Sequence, residues 1–239
     1  MEFQKDAHTD HISRQFNEEL EGIKSHLMTM GGIVEKQLQD AVTALLDGDS
    51  ELAERARQSD KLINAWEVEI EEQCTQIIAR RQPAASDLRL IMAVSRAVND
   101  LERVGDEAAR IAQQAAKLAA EGESPRGYSE TRHISGLIRE MLNGSLTAFA
   151  RYDTDLAYKV AKMDRDVDDE YKSAMRALAT YMMEDPRSIS RILNIIWVLR
   201  SLERIGDHAR NICQHLIYLV KGINVSHASL KEIKATLRD

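Results

Sequence analysis

The sequence predicts an all-α protein built from two tandem, pseudo-symmetric three-helix bundles. A short motif occurs twice, as LERVGD at Leu101–Asp106 and as LERIGD at Leu202–Asp207. Apolar residues recur at spacings of three and four along most of the chain, and no segment alternates apolar and polar residues as a strand would. A motif repeated at a fixed offset indicates a duplicated structural unit.

The likeness between the two halves extends upstream of the motif. Counted from Glu102 to Glu203 the offset is 101 positions, whereas Asp60 matches Asp164 at an offset of 104. The loop around Pro83, compared with the loop around Pro186, is where we expect the difference to arise. The predicted divisions are an N-terminal arm, a first repeat, a linker, a second repeat and a tail with a final helix, at 1–15, 16–121, 122–127, 128–222 and 223–239.

The first repeat is predicted to hold three long helices. An apolar stripe predicts helix 1 over 16–46, and the pair Gly31-Gly32 inside it predicts a kink or a close helix contact. Helix 2 is predicted over 50–81, where Pro83 stops it. Helix 3 is expected to begin at Ser86-Asp87, which would supply its N-cap, and to run to about residue 120.

The second repeat follows the same plan. Helices are predicted over 129–151, from the cap Asp153 to 183, and from the turn after Pro186 to Lys221, where Gly222 ends the helix. Residues 226–238 predict a short, charged final helix. Long antiparallel helices joined by short loops form bundles, and each long helix would measure roughly 45 Å.

Composition excludes several classes of function. A net charge of -7 argues against a general nucleic-acid binder, which needs a basic face. No apolar run approaches the ~20 residues that span a bilayer, and the first residues show no secretory apolar region.

Cys74 and Cys213 lie at non-equivalent places in the repeats, which predicts two buried thiols rather than a disulfide. The default compartment is the cytoplasm.

The repeated motif places two carboxylates on one edge of a helix. On helix 3, Glu102 lies at the shoulder of the buried face and Asp106 one turn further along the same side. Helix 6 repeats this arrangement with Glu203 and Asp207. One such pair would mean little, because carboxylates four residues apart are common on solvated helices. The same pair at the core shoulder of both repeats indicates a site.

The second helix of each repeat carries a matching pair. These are Asp60 and Asn64 in the first repeat, and Asp164 and Asp168 in the second. Antiparallel packing would bring each pair against the carboxylates of the motif. Asn211 extends the edge of helix 6 by another turn.

Clustered carboxylates repel one another unless a positive charge neutralises them. The spacing leaves two interpretations open: a metal ion, for which oxygen ligands suit Mg, Mn, Ca or Fe, or a salt-bridge network with Arg103 and Arg204. A di-iron oxidase would need two Glu-x-x-His motifs, and the chain has one, at Glu130 and His133. No Gly-rich phosphate loop, nucleophile–base set or zinc spacing is present, which predicts that the protein is not an enzyme.

In combination, these motifs resemble the PhoU family of bacterial phosphate-signalling accessory proteins. The resemblance rests on the doubled LERxGD, the segment RRQPAASDLR from Arg80 to Arg89, and the stretch from Asp60 to Asn64. It implies two three-helix bundles, a homodimer and metal clusters at E(D)-x-x-x-D motifs, with Fe, Zn, Mn and Mg as candidate ions. The residues that match are Glu102/Asp106, Asp164/Asp168 and Glu203/Asp207, whereas Asp60/Asn64 departs by ending in Asn.

The resemblance also implies a function. Members of the family negatively regulate the phosphate-starvation response and modulate phosphate uptake. They act as cytoplasmic adaptors, without catalysis, that link the ATPase subunit of the phosphate ABC transporter to a sensor histidine kinase. The alternatives from other classes are a metal-dependent enzyme built on the carboxylate-lined bundle and a metal-independent helical scaffold.

Overall fold

The structure is a computed structural model that describes residues 3–122, 128–226 and 228–238. All regular secondary structure in these ranges is helical, which confirms the predicted fold class. The α-helices, with a 3-10 turn at Pro186–Ser188 between α6 and α7, are α1 Phe3–Asp47, α2 Ser50–Gln58, α3 Asp60–Arg81, α4 Ala85–Ala120, α5 Tyr128–Arg151, α6 Thr154–Glu184, α7 Ile189–Lys221 and α8 Leu230–Arg238.

Three helix boundaries differ from the predicted ones by more than two residues. In addition, the predicted cap of helix 3 at Ser86-Asp87 is wrong, because α4 begins at Ala85 with Ala84 as its N-cap and no side-chain cap. Helix α1 begins at Phe3 rather than near residue 16. Residues 3–15 contain no glycine or proline that would end the helix, although they lack the apolar stripe that the prediction used. Predicted helix 2 is divided at Ser59, whose hydroxyl donates to the Arg55 carbonyl at 3.1 Å. Helix α8 begins at Leu230, after a capping box between Ser229 and Glu232. Residues 123–127 of the predicted linker lie outside the described residues.

Equivalent caps fix the turns of the two repeats. The Asp49 carboxylate accepts from the backbone N–H groups of Glu51 and Leu52, and Asp153 accepts in the same way from Leu156. These bonds satisfy N–H groups that a helix start leaves without partners. Gly222, with a φ of 72°, ends α7 in the left-handed conformation that glycine adopts without strain.

The two bundles lie side by side along α4 and α7. Helix α4 packs against α1, α2 and α3 in its own repeat, and about as extensively against α7 as against α1. Helix α7 in turn packs against α5 and α6. Contacts between Asp100 and Asn211 and between Glu107 and Ser201 show that α4 and α7 run antiparallel. The buried apolar residues of both repeats form one continuous core. The α4–α7 boundary is therefore internal to the molecule.

Glycines mark the closest helix approaches. A Cβ atom at Gly31 would lie 2.8 Å from Cδ2 of Leu146 on α5, so this glycine serves a close contact. Within the repeated motif, a Cβ atom at Gly105 would lie 3.0 Å from Ile63, and one at Gly206 would lie 2.9 Å from Ile138. These contacts explain why the motif carries glycine in both repeats. No helix in the described part of the chain is long and apolar enough to cross a membrane.

Candidate functional site

The first acidic edge lies where α3 crosses α4, and comprises Asp60, Asn64, Glu67, Glu102 and Asp106. Burial and the neighbouring Asp106 carboxylate raise the pKa values of Asp60 and Glu102. Asn64 donates to one Asp60 oxygen at 3.4 Å, and the other Asp60 oxygen is buried without a hydrogen-bond partner among the described residues. The structure thus places the predicted residues of the first repeat together.

Glu67 belongs to this edge although the sequence motifs did not indicate it. Burial raises the pKa of Glu67, and the nearby carboxylates of Glu102 and Glu71 raise it further. Glu67 could have been found from the sequence, because it lies seven residues after Asp60 and two helical turns place both residues on one helix face. The first edge is therefore more acidic than the paired motifs alone predict.

The second acidic edge lies where α6 meets α7, and comprises Asp164, Asp168, Glu203 and Asp207. Burial raises the pKa of Asp164 despite a hydrogen-bonded ion pair with Arg210. Burial and the Asp207 carboxylate raise the pKa of Glu203, and one Glu203 oxygen is buried without a hydrogen-bond partner among the described residues. Like the first edge, this one concentrates negative charge that is poorly solvated.

The arginines of the two edges are arranged differently. Arg103 pairs with Glu102 at 3.3 Å and with Asp106 at 3.5 Å, as the sequence suggested for the first edge. Its counterpart Arg204, assigned by the sequence to the second edge, instead pairs with Glu107 on α4 at 3.1 Å.

Arg210, which the sequence motifs did not indicate, neutralises part of the second edge. It contacts Asp164 and, at 3.1 Å, Asp207. Arg210 could have been found from the sequence, because it lies three residues after Asp207 on the same helix and side chains at that spacing are neighbours. The first repeat has Ala109 at the equivalent position, so this neutralising cation is particular to the second edge.

A buried polar contact at Asp100 joins the repeats across α4 and α7. The Asp100 carboxylate lies 2.8 Å from His208 Nδ1 and 2.8 Å from His215 Nε2, and Asn211 donates to it at 3.1 Å. Asn211 therefore bonds across the boundary between α7 and α4. The prediction that it extends the second acidic edge is corrected by this contact. Burial alone would raise the pKa of Asp100, but the hydrogen bonds from His208 and His215 hold it below its ordinary value.

Glu107 makes the corresponding contact two turns further along α4. Its buried carboxylate accepts from Ser201 at 2.8 Å and pairs with Arg204 and Arg110. At the offset of 101, Glu107 corresponds to His208 and Ser201 corresponds to Asp100. Symmetry between the repeats would place the second carboxylate on α7, at position 201, but both carboxylates lie on α4. Periodicity within one repeat could not predict this.

The fit of the acidic edges to a metal ion is partial. Every ionisable donor is a carboxylate, a set that suits hard cations, and the raised pKa values and unpartnered oxygens indicate room for more positive charge. However, no group of three His, Cys, Asp or Glu side chains within the described ranges is arranged to hold an ion. In the second edge, Arg210 supplies part of the charge that an ion would bring.

Comparison with known proteins assigns the chain to a family. The model of the PhoU domain matches residues 27–115 and 131–216, one segment in each repeat. The chain belongs to the PhoU family. One relative is the phosphate-specific transport system accessory protein PhoU homolog of Pseudomonas aeruginosa. The two chains are 60% identical over 230 residues, which cover 96% of this chain and 95% of the relative. This chain is 45% identical to the Escherichia coli K12 accessory protein PhoU over 227 residues, covering 95% and 94% of the two chains.

Solved structures show the same fold. The crystal structure of PhoU from Pseudomonas aeruginosa matches with a TM-score of 0.85 and 62% identity, over 87% of this chain and 100% of that one. The phosphate transport system regulatory protein PhoU from Streptococcus pneumoniae matches with a TM-score of 0.81 and 29% identity, over 88% and 99%. Two tandem PhoU domains therefore account for the repeat seen in the sequence.

Proposed function

We propose that this protein is an accessory regulator of phosphate uptake that represses the phosphate-starvation response when phosphate is plentiful. The observation that carries the proposal is 60% identity, over nearly the whole length, to a protein named as an accessory protein of phosphate-specific transport. In this proposal the protein is a cytoplasmic adaptor without catalysis. Its helical surfaces would contact the ATPase subunit of the phosphate ABC transporter and a sensor histidine kinase.

Gene deletion tests the regulatory proposal directly. We expect a reporter of phosphate-starvation genes, silent in phosphate-rich medium, to become active when the gene is removed and silent again when the wild-type gene is returned. A strain carrying Arg57→Ala, a change to an exposed ion pair on α2, serves as the control for expression of a folded variant. An unchanged reporter after deletion would contradict the proposal.

The proposed partners need a separate test. Purified protein would be mixed with the transporter ATPase subunit, and separately with the cytoplasmic part of the kinase, and complexes would be measured by light scattering after size exclusion. The protein alone, in the same experiment, tests the proposed homodimer. If neither complex forms while the reporter still responds to gene deletion, the regulatory role stands and the proposed adaptor contacts are rejected.

We also propose that the acidic edges bind metal ions, with Fe, Zn, Mn and Mg as candidates. Support comes from the raised pKa values of Asp60, Glu102, Asp164 and Glu203, because a cation stabilises their ionised forms. The test is metal content by mass spectrometry on untagged protein. Wild type would be compared with the triple variant Asp164→Ala/Glu203→Ala/Asp207→Ala and with the control Arg57→Ala.

The metal measurement separates this proposal from a metal-free scaffold. Near-stoichiometric metal in wild type and in the control, lost in the triple variant, would support carboxylate ligands. Metal absent from all three would support charge networks around Arg103 and Arg210. Turnover that required the same carboxylates would instead favour a metal-dependent enzyme.

A further inference from the structure

A polar pocket opens on the α4–α7 boundary beside the Asp100 contact. Its volume is 420 Å³, within the range of small-molecule sites. The residues that matter for its chemistry are Arg96, Arg103, Asn211, Gln214, His215 and Ser226. They come from α4, from α7 and from the loop before α8, so the pocket exists only because the two repeats pack side by side.

Two of these side chains have unused hydrogen-bonding capacity. The guanidinium of Arg96 stacks over the Tyr218 ring at 5.4 Å and makes no ion pair with any residue that the structure describes. Gln214 lines the pocket, and its side-chain amide makes no hydrogen bond within the described ranges although the residue as a whole is only 7% exposed. The amide is therefore available to donate to, and accept from, a ligand in the pocket.

The acidic groups around the pocket are already engaged. Both oxygens of Asp100, on the pocket floor, are taken by His208, His215 and Asn211. Glu71 of α3 accepts at 3.0 Å from Asn99, which lines the pocket.

The cations on the rim differ in their freedom to bind a ligand. Arg103 already forms ion pairs with Glu102 at 3.3 Å and with Asp106 at 3.5 Å. Arg96 is therefore the cation freest to meet a ligand.

We propose that this pocket binds an oxyanion of the phosphate type. The Arg96 guanidinium offers a planar pair of donors that matches a phosphoryl group. Gln214 can both donate to a phosphate oxygen and accept from a protonated one, which sulfate at neutral pH does not provide. Free phosphate and a phosphomonoester share this chemistry, and the pocket has room for the larger ligand. The site does not depend on the proposed partners or on metal binding.

Isothermal titration calorimetry with inorganic phosphate, at constant ionic strength, tests the site. We expect wild-type protein to bind phosphate in preference to sulfate. Arg96→Ala and Gln214→Met should each weaken phosphate binding about tenfold or more, since each removes a hydrogen bond to a charged ligand. Arg57→Ala, which removes an exposed arginine elsewhere, should bind like wild type. Adenosine monophosphate in a parallel titration distinguishes the two sources, because tighter binding than phosphate identifies a phosphomonoester.

Three outcomes would overturn the proposal. Wild type that binds neither phosphate nor adenosine monophosphate has no such site. Equal weakening in Arg57→Ala would mean that only general charge is measured, and unchanged binding in Arg96→Ala would place the anion elsewhere. Thermal melting of each variant checks folding, and the exposed Arg96 keeps the test decisive if Gln214→Met does not fold.

Discussion

The carboxylate of Asp100 on α4 lies 2.8 Å from Nε2 of His215 on α7, and this buried contact joins one repeat to the other. Apolar burial has no preferred direction, so it holds two helices together without fixing how they slide past each other. The hydrogen bond from Ser201 to Glu107, two turns along α4, gives a second fixed point. Together the two contacts set the register of the repeats.

Loss of the Asp100 carboxylate should destabilise the fold. In Asp100→Ala, the side chains of His208, His215 and Asn211 lose their shared acceptor inside the boundary. We expect a loss of about 3 kcal/mol in the free energy of unfolding, measured by urea denaturation. Asp100→Asn keeps an acceptor and should lose less. Equal stability of Asp100→Ala and wild type would contradict the structural role of the contact.

The stability that Asp100 provides should depend on pH. Its pKa is lowered in the folded protein, so the unfolded chain binds the proton more readily. The contribution is therefore present above the ordinary range of an aspartate and is lost as the pH falls through the lowered folded pKa. Urea midpoints measured between neutral and acid pH should fall more steeply in wild type than in Asp100→Asn. Parallel curves would show that Asp100 does not carry this dependence.

Glu203→Gln should stabilise the metal-free protein at neutral pH. The folded pKa of Glu203 is raised by burial and Asp207, so its ionised form opposes folding above that pKa and the penalty disappears as the pH falls through it. Because Glu203 is partly solvated, we expect a gain of at most about 1 kcal/mol. Melting after chelation measures the gain, and Glu18→Gln on α1 is a control for removal of an exposed carboxylate. A less stable Glu203→Gln would contradict the charge argument.

The adjacent glycines of α1 should respond in opposite directions to alanine. At Gly32 a Cβ atom would meet no atom of the described residues within 4 Å beyond its chain neighbours and its own helix backbone. Gly32→Ala should therefore stabilise by about 0.5–1 kcal/mol through helix propensity. At Gly31 the new atom would lie 2.8 Å from Leu146, and overpacking of about 1–3 kcal/mol should exceed that gain. Thermal melting of both variants checks the contrast, and equal shifts would contradict the close α1–α5 contact.

Neither cysteine should react with thiol reagents in the folded protein. Both are buried free thiols, and burial raises the pKa of Cys74 to about 11 and that of Cys213 still further. The reactive thiolate is therefore scarce at neutral pH. Ellman's reagent should detect two thiols in urea and almost none without it. Fast labelling of native protein would show that the helices covering Cys74 or Cys213 open readily.

Much of the site could be read from spacing along single helices. Glu102 and Asp106 were found because one turn of helix places them on the same edge, and the second copy showed that the pattern was meaningful. Arg210 and Glu67 follow the same rule and could have been found by extending each edge by one or two turns. The true partners of Arg204 and Asn211 could not, because both bond across α4 and α7.

The sequence by itself determined the all-α class, the duplication, most helix boundaries and the acidic edges, because all of these follow from periodicity, caps and turn residues that act over a few positions. Only the tertiary structure decided that the repeats lie side by side along α4 and α7, that Asp100 and Glu107 are buried between them, and that a pocket with Arg96 and Gln214 opens at that boundary. These features depend on which helix faces meet over about a hundred positions, and apolar stripes alone do not specify that choice.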